Sequence, residues 1–378
     1  MSAGLFAIYS FQGPVNLYPF VYYGLRAMAN RGDVAVAYVL GEGGDLRRVE
    51  VDFSKEAAGE ARGIAAVGCV STEECCRATE EGVYCAFGRD RVKLGAPSGD
   101  TVYVGLLKNG VVYAYRPPRL WHLAVGAHGF DFAIIATESS VIEILGGDLR
   151  RSLKGGELLK IHKFGVESAG GGPPREICAM ELVYASRLDS VIDGVEIAEV
   201  RAKLGEALGK KAGRADVVIG VPDTGLYYAA WAARAAGAWH APGFVSTIKK
   251  RSALLDEVKE RISAIQLKAN VVRHAVAGKR VLVVDDSIIS GLTLRHIAQL
   301  IRVKAGAKEV HAATAAPPLR SQCPYGVKMP PESHMIFNHL DLKTATVALE
   351  LDSFFHLDVE EFEKTVGMSV CTRCFVRP

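Results

Sequence analysis

Two adjacent acids, Asp285-Asp286, follow the apolar run Val281 to Val284 and precede the small-residue stretch Ser287-Ile288-Ile289-Ser290-Gly291-Leu292-Thr293. Carboxylates at the carboxyl end of a strand can accept hydrogen bonds from vicinal ribose hydroxyls, while backbone N–H groups opening the next helix can hold a phosphate. Gly291 lets the backbone come close to a ligand, and the hydroxyls of Ser287, Ser290 and Thr293 add donors. A plainer alternative is that Asp-Asp-Ser only caps the helix, although a cap needs one acid and no glycine downstream. A second junction of the same kind is Val221-Pro222-Asp223-Thr224-Gly225, which alone could equally be a capped turn. Together the two loops could hold both ends of a ribose carrying a phosphate and a diphosphate. Lys268 and the trio Lys249-Lys250-Arg251 could neutralise a departing diphosphate, though a solvated basic loop is the commoner meaning of such a trio.

The elements that must position these residues alternate in type. After position 173 the pattern predicts a helix over 191–211, a strand over 217–221, a helix over 226–236, a strand over 281–284, a helix over 292–304 and a strand over 309–315. This is the signature of a parallel sheet with crossover helices. Before it lie short β-rich runs at 4–9, 34–40, 102–107, 111–115 and 132–137, with helical patterns at 19–29 and 140–145, which predict an antiparallel α+β domain. The run Glu167-Ser168-Ala169-Gly170-Gly171-Gly172-Pro173-Pro174 reads as a linker. The expected domains are therefore 1–172 and 173–378.

The chain has 378 residues, enough for two cores of ordinary size, and a net charge of +3 that gives no footprint for nucleic acid. Its longest apolar runs are too short to cross a bilayer and the N-terminus lacks a signal-peptide core, so the expectation is a soluble, cytoplasmic protein. Glutamine occurs only at positions 12, 266, 299 and 322 and asparagine only at 16, 30, 109, 270 and 338, a scarcity of thermolabile amides that fits a thermophilic source. Eight cysteines in such a chain argue for metal binding or free thiols rather than a disulfide framework. Cys371-Thr372-Arg373-Cys374 is open between metal, redox and chance. Cys69 with Cys75-Cys76 could bind a metal, or these and Cys85 could be small apolar packing.

Beyond these local readings, Arg280 to Thr293, Val221 to Gly225, the stretch Cys178 to Ser190 and the stretch Pro317 to Gly326 resemble the glutamine phosphoribosylpyrophosphate amidotransferase (amidophosphoribosyltransferase) family. The resemblance implies a first domain of the N-terminal-nucleophile hydrolase type, which supplies ammonia from glutamine. It implies a second, α/β type I phosphoribosyltransferase domain, which binds phosphoribosylpyrophosphate with Mg²⁺ and places an amine on the ribose C1. By the same resemblance Asp285 and Asp286 hold the ribose hydroxyls, Ser287 to Thr293 cradle the 5′-phosphate, and Asp223, Thr224 and Gly225 contact the diphosphate. Cys178, Cys323, Cys371 and Cys374 fall where some relatives ligate a [4Fe–4S] cluster, and four thiolates suit either that cluster or a structural zinc.

The departures are as specific as the matches. Ser290 and Leu292 stand where the family usually has Arg and Thr, yet acid-acid, three residues, then Ser-Gly-x-Thr remains the broader phosphoribosyltransferase pattern. Ser252-Ala253-Leu254-Leu255 follows the basic trio where relatives carry a tyrosine and a Gly-Arg-Thr-Phe segment that closes over substrate. Ala3 stands in Ala3-Gly4-Leu5-Phe6-Ala7-Ile8 at the position of the catalytic cysteine, and a methyl group cannot form a thioester. Exposure of Ser2 by loss of Met1 is a remaining route to a nucleophile, one residue out of register. Lys108-Asn109-Gly110 keeps the Asn-Gly of the family's oxyanion hole, or is simply a hairpin turn. The expectation is a phosphoribosylpyrophosphate-binding relative that uses free or partner-supplied ammonia, as a homo-oligomer or with an active paralogue or glutaminase. The alternative is a non-catalytic subunit that assembles with such a paralogue.

Overall fold

The computed structural model describes residues 2–245 and 270–377, which fall into two compact units. The first comprises residues 1–198, 323–328 and 369–371, and the second residues 199–322, 329–368 and 372–378. The expected boundary at 172/173 thus lies inside the first unit. Part of the glycine-rich run there is strand rather than linker, because Gly165–Ala169 pairs antiparallel with Leu158–His162.

In the first unit the central strand Gly4–Ser10 is buried along its whole length. It lies in a seven-stranded antiparallel sheet, between Phe132–Ala136 and Ala65–Ser71, with Val34–Leu40 and Leu46–Glu50 beyond the latter. Side chains alternate along a strand, so one set faces each way. Leu5, Ala7 and Tyr9 join the core shared with a second, six-stranded antiparallel sheet, while Phe6 and Ile8 face the helices Tyr18–Ala27 and Ser140–Ile144. The layering is helix, sheet, sheet, as the α+β expectation required.

Two disulfides, Cys69–Cys75 and Cys76–Cys85, correct the expectation that these cysteines are free thiols or simple apolar packing rather than bridges. The reason is register. The hairpin of Cys76–Ala78 with Gly82–Phe87 sets Cys76 directly opposite Cys85, and Cys69 reaches the same core from the first sheet.

The second unit is built on five parallel strands in the order Trp239–His240, Val217–Gly220, Arg280–Asp285, Glu309–Thr314, Ser353–His356. Val217–Gly220 and the Val281–Val284 part of its neighbour are apolar and buried on both faces, as a covered parallel sheet demands, and Glu309–Thr314 is buried from Ala312 onward. From Val217–Gly220 the chain moves outward to Trp239–His240 and then returns on the other side to Arg280–Asp285. The order of strands therefore reverses between Val217–Gly220 and Arg280–Asp285, and ligands bind at such a reversal. At the opposite end of these two strands Arg280 pairs with Asp216 at 2.6 Å.

Beyond shifts of one or two residues, one element start differs from the sequence reading, and one helix changes type along its length. The helix expected from Val191 begins at Ile197, because Val191–Ile192 and Val195–Glu196 form a hairpin around Asp193-Gly194. Both turn residues have positive φ, 51° and 82°. The helix from Leu292 is α-helical to Gln299 and continues as a π-helical turn over Leu300–Lys304. Among the described residues no helix is long and apolar enough to cross a membrane.

Candidate functional site

The strand Arg280–Asp285 ends on the first acid, which is half-buried, and the second, Asp286, is 7% exposed. The segment continuing the neighbouring strand Glu309–Thr314 fixes both main chains: Ala315 N–H donates to Asp285 O at 3.1 Å and Ala316 N–H to Asp286 O at 2.8 Å. Asp285 Oδ1 accepts the N–H of Asp286 at 2.9 Å, and Ser287 Oγ donates to Asp286 Oδ1 at 2.6 Å. The loop then turns through Gly291 at φ 75°, a backbone state open to glycine. A side chain there would also meet Leu349 Cδ2 at 2.5 Å. Leu292 and Thr293 open the helix, and Ser290 Oγ lies 3.5 Å from the N–H of Leu292. The opening N–H groups of this helix have no intrahelical acceptor, which is the condition for holding an anion.

The second loop sits beside it. Gly220 and Val284 are register partners, and Val221 N–H donates to Val284 O at 2.9 Å. Pro222, in cis linkage to the exposed Asp223, and Thr224 lead into the helix Gly225–Ala236. Gly225 is pressed against the neighbouring strand end: a Cβ would lie 2.5 Å from Val284 O and 3.3 Å from Asp285 Cα. The structure therefore brings Asp223, Thr224, Gly225, Asp285, Asp286, Ser287, Ser290, Gly291, Leu292 and Thr293 to one sheet edge at the strand-order reversal. Lys268, the trio Lys249-Lys250-Arg251 and Ser252 to Leu255 lie outside the described residues.

Two residues behind the acids were not singled out from the sequence. Tyr228 is fully buried one turn into the second loop's helix; burial pushes its hydroxyl pKa up, opposed by Arg201 and assisted by the charges of Asp286 and Asp285. Arg201 is itself 5% exposed. Its helix, Ile197–Lys211, comes close because Gly205 and Gly209 face the backbone of Tyr228 and Ala232, where a Cβ would meet carbonyl oxygens at 2.7 and 2.3 Å. The signal was present in the spacing of Gly205 and Gly209, two small residues four apart on the helix face that also carries Arg201.

At the start of the first unit's Gly4–Ser10 strand the position before Gly4 is Ala3. Ala3 is 2% exposed with its methyl in the core. Beside it lies a closed charge network: Arg31 bonds Glu138 at 2.6 Å and Glu181 at 2.8 Å, and donates to Ser2 Oγ at 2.6 Å. Ser2 Oγ in turn donates to Glu181, and Ser186 Oγ does so at 2.8 Å. Burial alone would raise the Glu181 carboxyl, but the Arg31 guanidinium outweighs it and holds the group down to about 2. Asn109-Gly110 forms the hairpin turn joining Val102–Leu107 to Val112–Tyr115, with Gly110 at φ 86° and Asn109 Oδ1 accepting from Val111 N–H at 3.3 Å.

Of the four cysteines outside the disulfides, Cys178 and Cys371 are register partners in a short parallel pairing of Ile177–Cys178 with Val370–Cys371. The sulfur of Cys323 accepts the N–H of Tyr325 at 3.4 Å. Cys374 follows Cys371 by three positions.

Comparison with known proteins is consistent with these features. The family model for the phosphoribosyl transferase domain matches residues 194–334. The chain is 32% identical over 282 residues to an amidophosphoribosyltransferase of Methanothermobacter thermautotrophicus, covering 71% of this chain and 58% of that protein. It is 31% identical over 296 residues to the amidophosphoribosyltransferase of Bacillus subtilis, covering 76% of this chain and 62% of that protein. The matches thus span less than two thirds of those relatives' own length. In structure the chain is similar to the B. subtilis glutamine phosphoribosylpyrophosphate amidotransferase solved with ADP and GMP, with a TM-score of 0.83 and 25% identity over 98% of this chain and 96% of that one.

Proposed function

The chain belongs to the amidophosphoribosyltransferase family, and on that premise we propose that its second unit binds phosphoribosylpyrophosphate and transfers the phosphoribosyl group to ammonia in purine biosynthesis. The observation that carries this reading is the pairing of Asp285-Asp286 with the Asp223–Gly225 loop on adjacent strand ends at the reversal of strand order. In this reading Asp285 and Asp286 accept the ribose hydroxyls, the N–H groups from Ser287 to Thr293 hold the 5′-phosphate, and Asp223, Thr224 and Gly225 lie along the diphosphate. Tyr228 lies close enough behind the acids to feel their charge, and Arg201 lies beside Tyr228. As ammonia attacks C1, the C–N bond forms, the bond from C1 to the diphosphate oxygen breaks with its electron pair, and the attacking nitrogen loses a proton. Mg²⁺ bound with the substrate would offset the charge on the diphosphate.

Ala3 cannot act on glutamine, so the ammonia comes from solution or from a partner glutaminase. A regulatory reading has its own support, since the closing segment of relatives is absent from the sequence after Arg251. In that reading the chain binds the same ligand but assembles with an active paralogue.

Cys178, Cys323, Cys371 and Cys374 are offered as ligands to a [4Fe–4S] cluster, with zinc as the alternative. The donor set fits soft-metal ligation: two of the cysteines are opposed in register and a third sulfur accepts a backbone N–H, as a thiolate does. The cluster would tie the C-terminal segment to the Ile177–Cys178 strand.

The test is to supply anaerobically purified chain with phosphoribosylpyrophosphate, Mg²⁺ and either ammonia or glutamine, and to follow diphosphate release. Release with ammonia alone supports the enzyme, whereas uptake without release leaves the regulator. Uptake unchanged in Asp285→Asn/Asp286→Asn would remove both.

A further inference from the structure

We propose that Cys69, Cys75, Cys76 and Cys85 form a second sulfur site, a tetrathiolate that binds a zinc-class divalent metal when reduced and closes as two disulfides when oxidised. The four positions come from three places in the first unit. Cys69 lies on the Ala65–Ser71 strand of the seven-stranded sheet, Cys75 just ahead of Cys76–Ala78, and Cys76 and Cys85 opposite each other in the six-stranded sheet. The sulfurs of Cys69, Cys76 and Cys85 lie within 4.8 Å of one another, and the Cys76 and Cys69 sulfurs, which belong to different disulfides, are 3.5 Å apart. Cys75 is covalently joined to Cys69, so all four sulfurs are contiguous.

Zinc–thiolate bonds of about 2.3 Å imply sulfur–sulfur edges of roughly 3.8 Å in a tetrahedron. The observed separations bracket that edge, so small side-chain shifts complete the coordination.

Access and charge agree with this. Cys69 and Cys85 are fully buried and Cys76 is 6% exposed, but Cys75 is half-buried and lines a cavity of about 320 Å³, which gives reductant and metal a route in. The cavity's four cations, Arg77, Arg89, Arg91 and Lys328, outnumber its three carboxylates by one, a slightly positive lining for the two negative charges that a tetrathiolate of a divalent metal carries. The redox step balances with an external dithiol. Two dithiol molecules give up four electrons and four protons and become cyclic disulfides, the two protein disulfides become four thiols, and the incoming metal displaces four protons to solvent; in the reverse step two small-molecule disulfides accept four electrons and four protons as the protein disulfides re-form and the metal is released.

The test uses the full chain, reduced with dithiothreitol under argon, stripped of metal and titrated with Co²⁺. Wild type and Cys371→Ser/Cys374→Ser, which removes two of the other ligand candidates, should both show thiolate-to-cobalt charge transfer and tetrahedral d–d absorption that Zn²⁺ bleaches. Adding Cys69→Ser/Cys85→Ser to the latter background should abolish the signal. Cys75→Ser, at the half-buried position that least disturbs the core, should weaken Co²⁺ binding at least about tenfold. The unreduced chain should give no signal in this background. Absorption that survives loss of Cys69 and Cys85, an affinity unmoved by Cys75→Ser, equal uptake without reductant, or no uptake after reduction would each overturn the proposal.

Discussion

Replacing Gly225 by alanine tests whether the second loop's position depends on backbone contact with the strand that carries the acids. The new methyl would fall 2.5 Å from Val284 O and 3.3 Å from Asp285 Cα, against an optimum near 3.5–4.0 Å for carbon contacts. Both obstacles are backbone in a buried strand, so the loop must retreat by roughly 1 Å, a displacement on the scale that misaligns bound groups. Loss of about 1.4 to 2.7 kcal/mol of binding follows, or about tenfold to hundredfold in affinity for phosphoribosylpyrophosphate. Alanine also favours a helix start over glycine by about 0.5–1 kcal/mol, so thermal stability should change less than binding does. Gly237→Ala at the other end of the same helix is the control. It has φ 64° and nothing within 4 Å of its would-be Cβ, so it should cost about 1–2 kcal/mol of stability and leave affinity alone. The assay is calorimetric titration with Mg²⁺ present, beside thermal unfolding by circular dichroism. If Gly225→Ala binds within twofold of wild type, the second loop does not touch the ligand as described.

Arg31→Leu leaves Glu138 and Glu181 facing each other in a dry interior, and breaking a buried pair of this kind costs about 3–5 kcal/mol. The unfolding midpoint should fall by roughly 10 °C, and a shift under about two degrees would show that the network carries little of the stability. Acid should also weaken the first unit in two stages. His122 is held neutral by burial and by Arg116, its pKa lowered from 6.5 to about 4, so its folded form resists the proton that the unfolded chain accepts. Stability tied to it is whole above pH 6.5 and is lost as pH falls toward 4. Glu181, depressed from 4.5 to about 2, contributes stability above its unfolded value that is lost between about 4.5 and 2. Denaturant midpoints measured from pH 7 to 3 should therefore decline below 6.5 and steepen below 4.5, and a flat profile to pH 4 would contradict both assignments.

The parallel sheet and its two loops were legible because each feature is local. A buried strand, two acids and a glycine occupy fourteen consecutive positions, Arg280 to Thr293, and the residues do the same work in sequence and in space. The Asp193-Gly194 hairpin was equally local and still missed, since the apolar periodicity of the helix beyond it extended plausibly backward over Val191. Arg31, Glu138 and Glu181 could not be read at all: partners separated by 107 and 150 positions meet only after the sheets form. The disulfides fell between these cases. Pairing Cys76 with Cys85 needs only a hairpin register, but placing Cys69 beside them needs two sheets to stack.

The Gly4–Ser10 strand, apolar toward both its neighbouring layers, raises a question of alignment. Sliding it by one position exchanges Leu5, Ala7 and Tyr9 for Phe6 and Ile8, one greasy set for another, so oil–water sorting is nearly blind to the error. What detects it is the ionic latch just upstream. A slipped chain would drag Ser2 Oγ away from Arg31 and Glu181 and leave a charged trio short of a partner. Polar specificity at one tip thus proofreads an otherwise ambiguous rod.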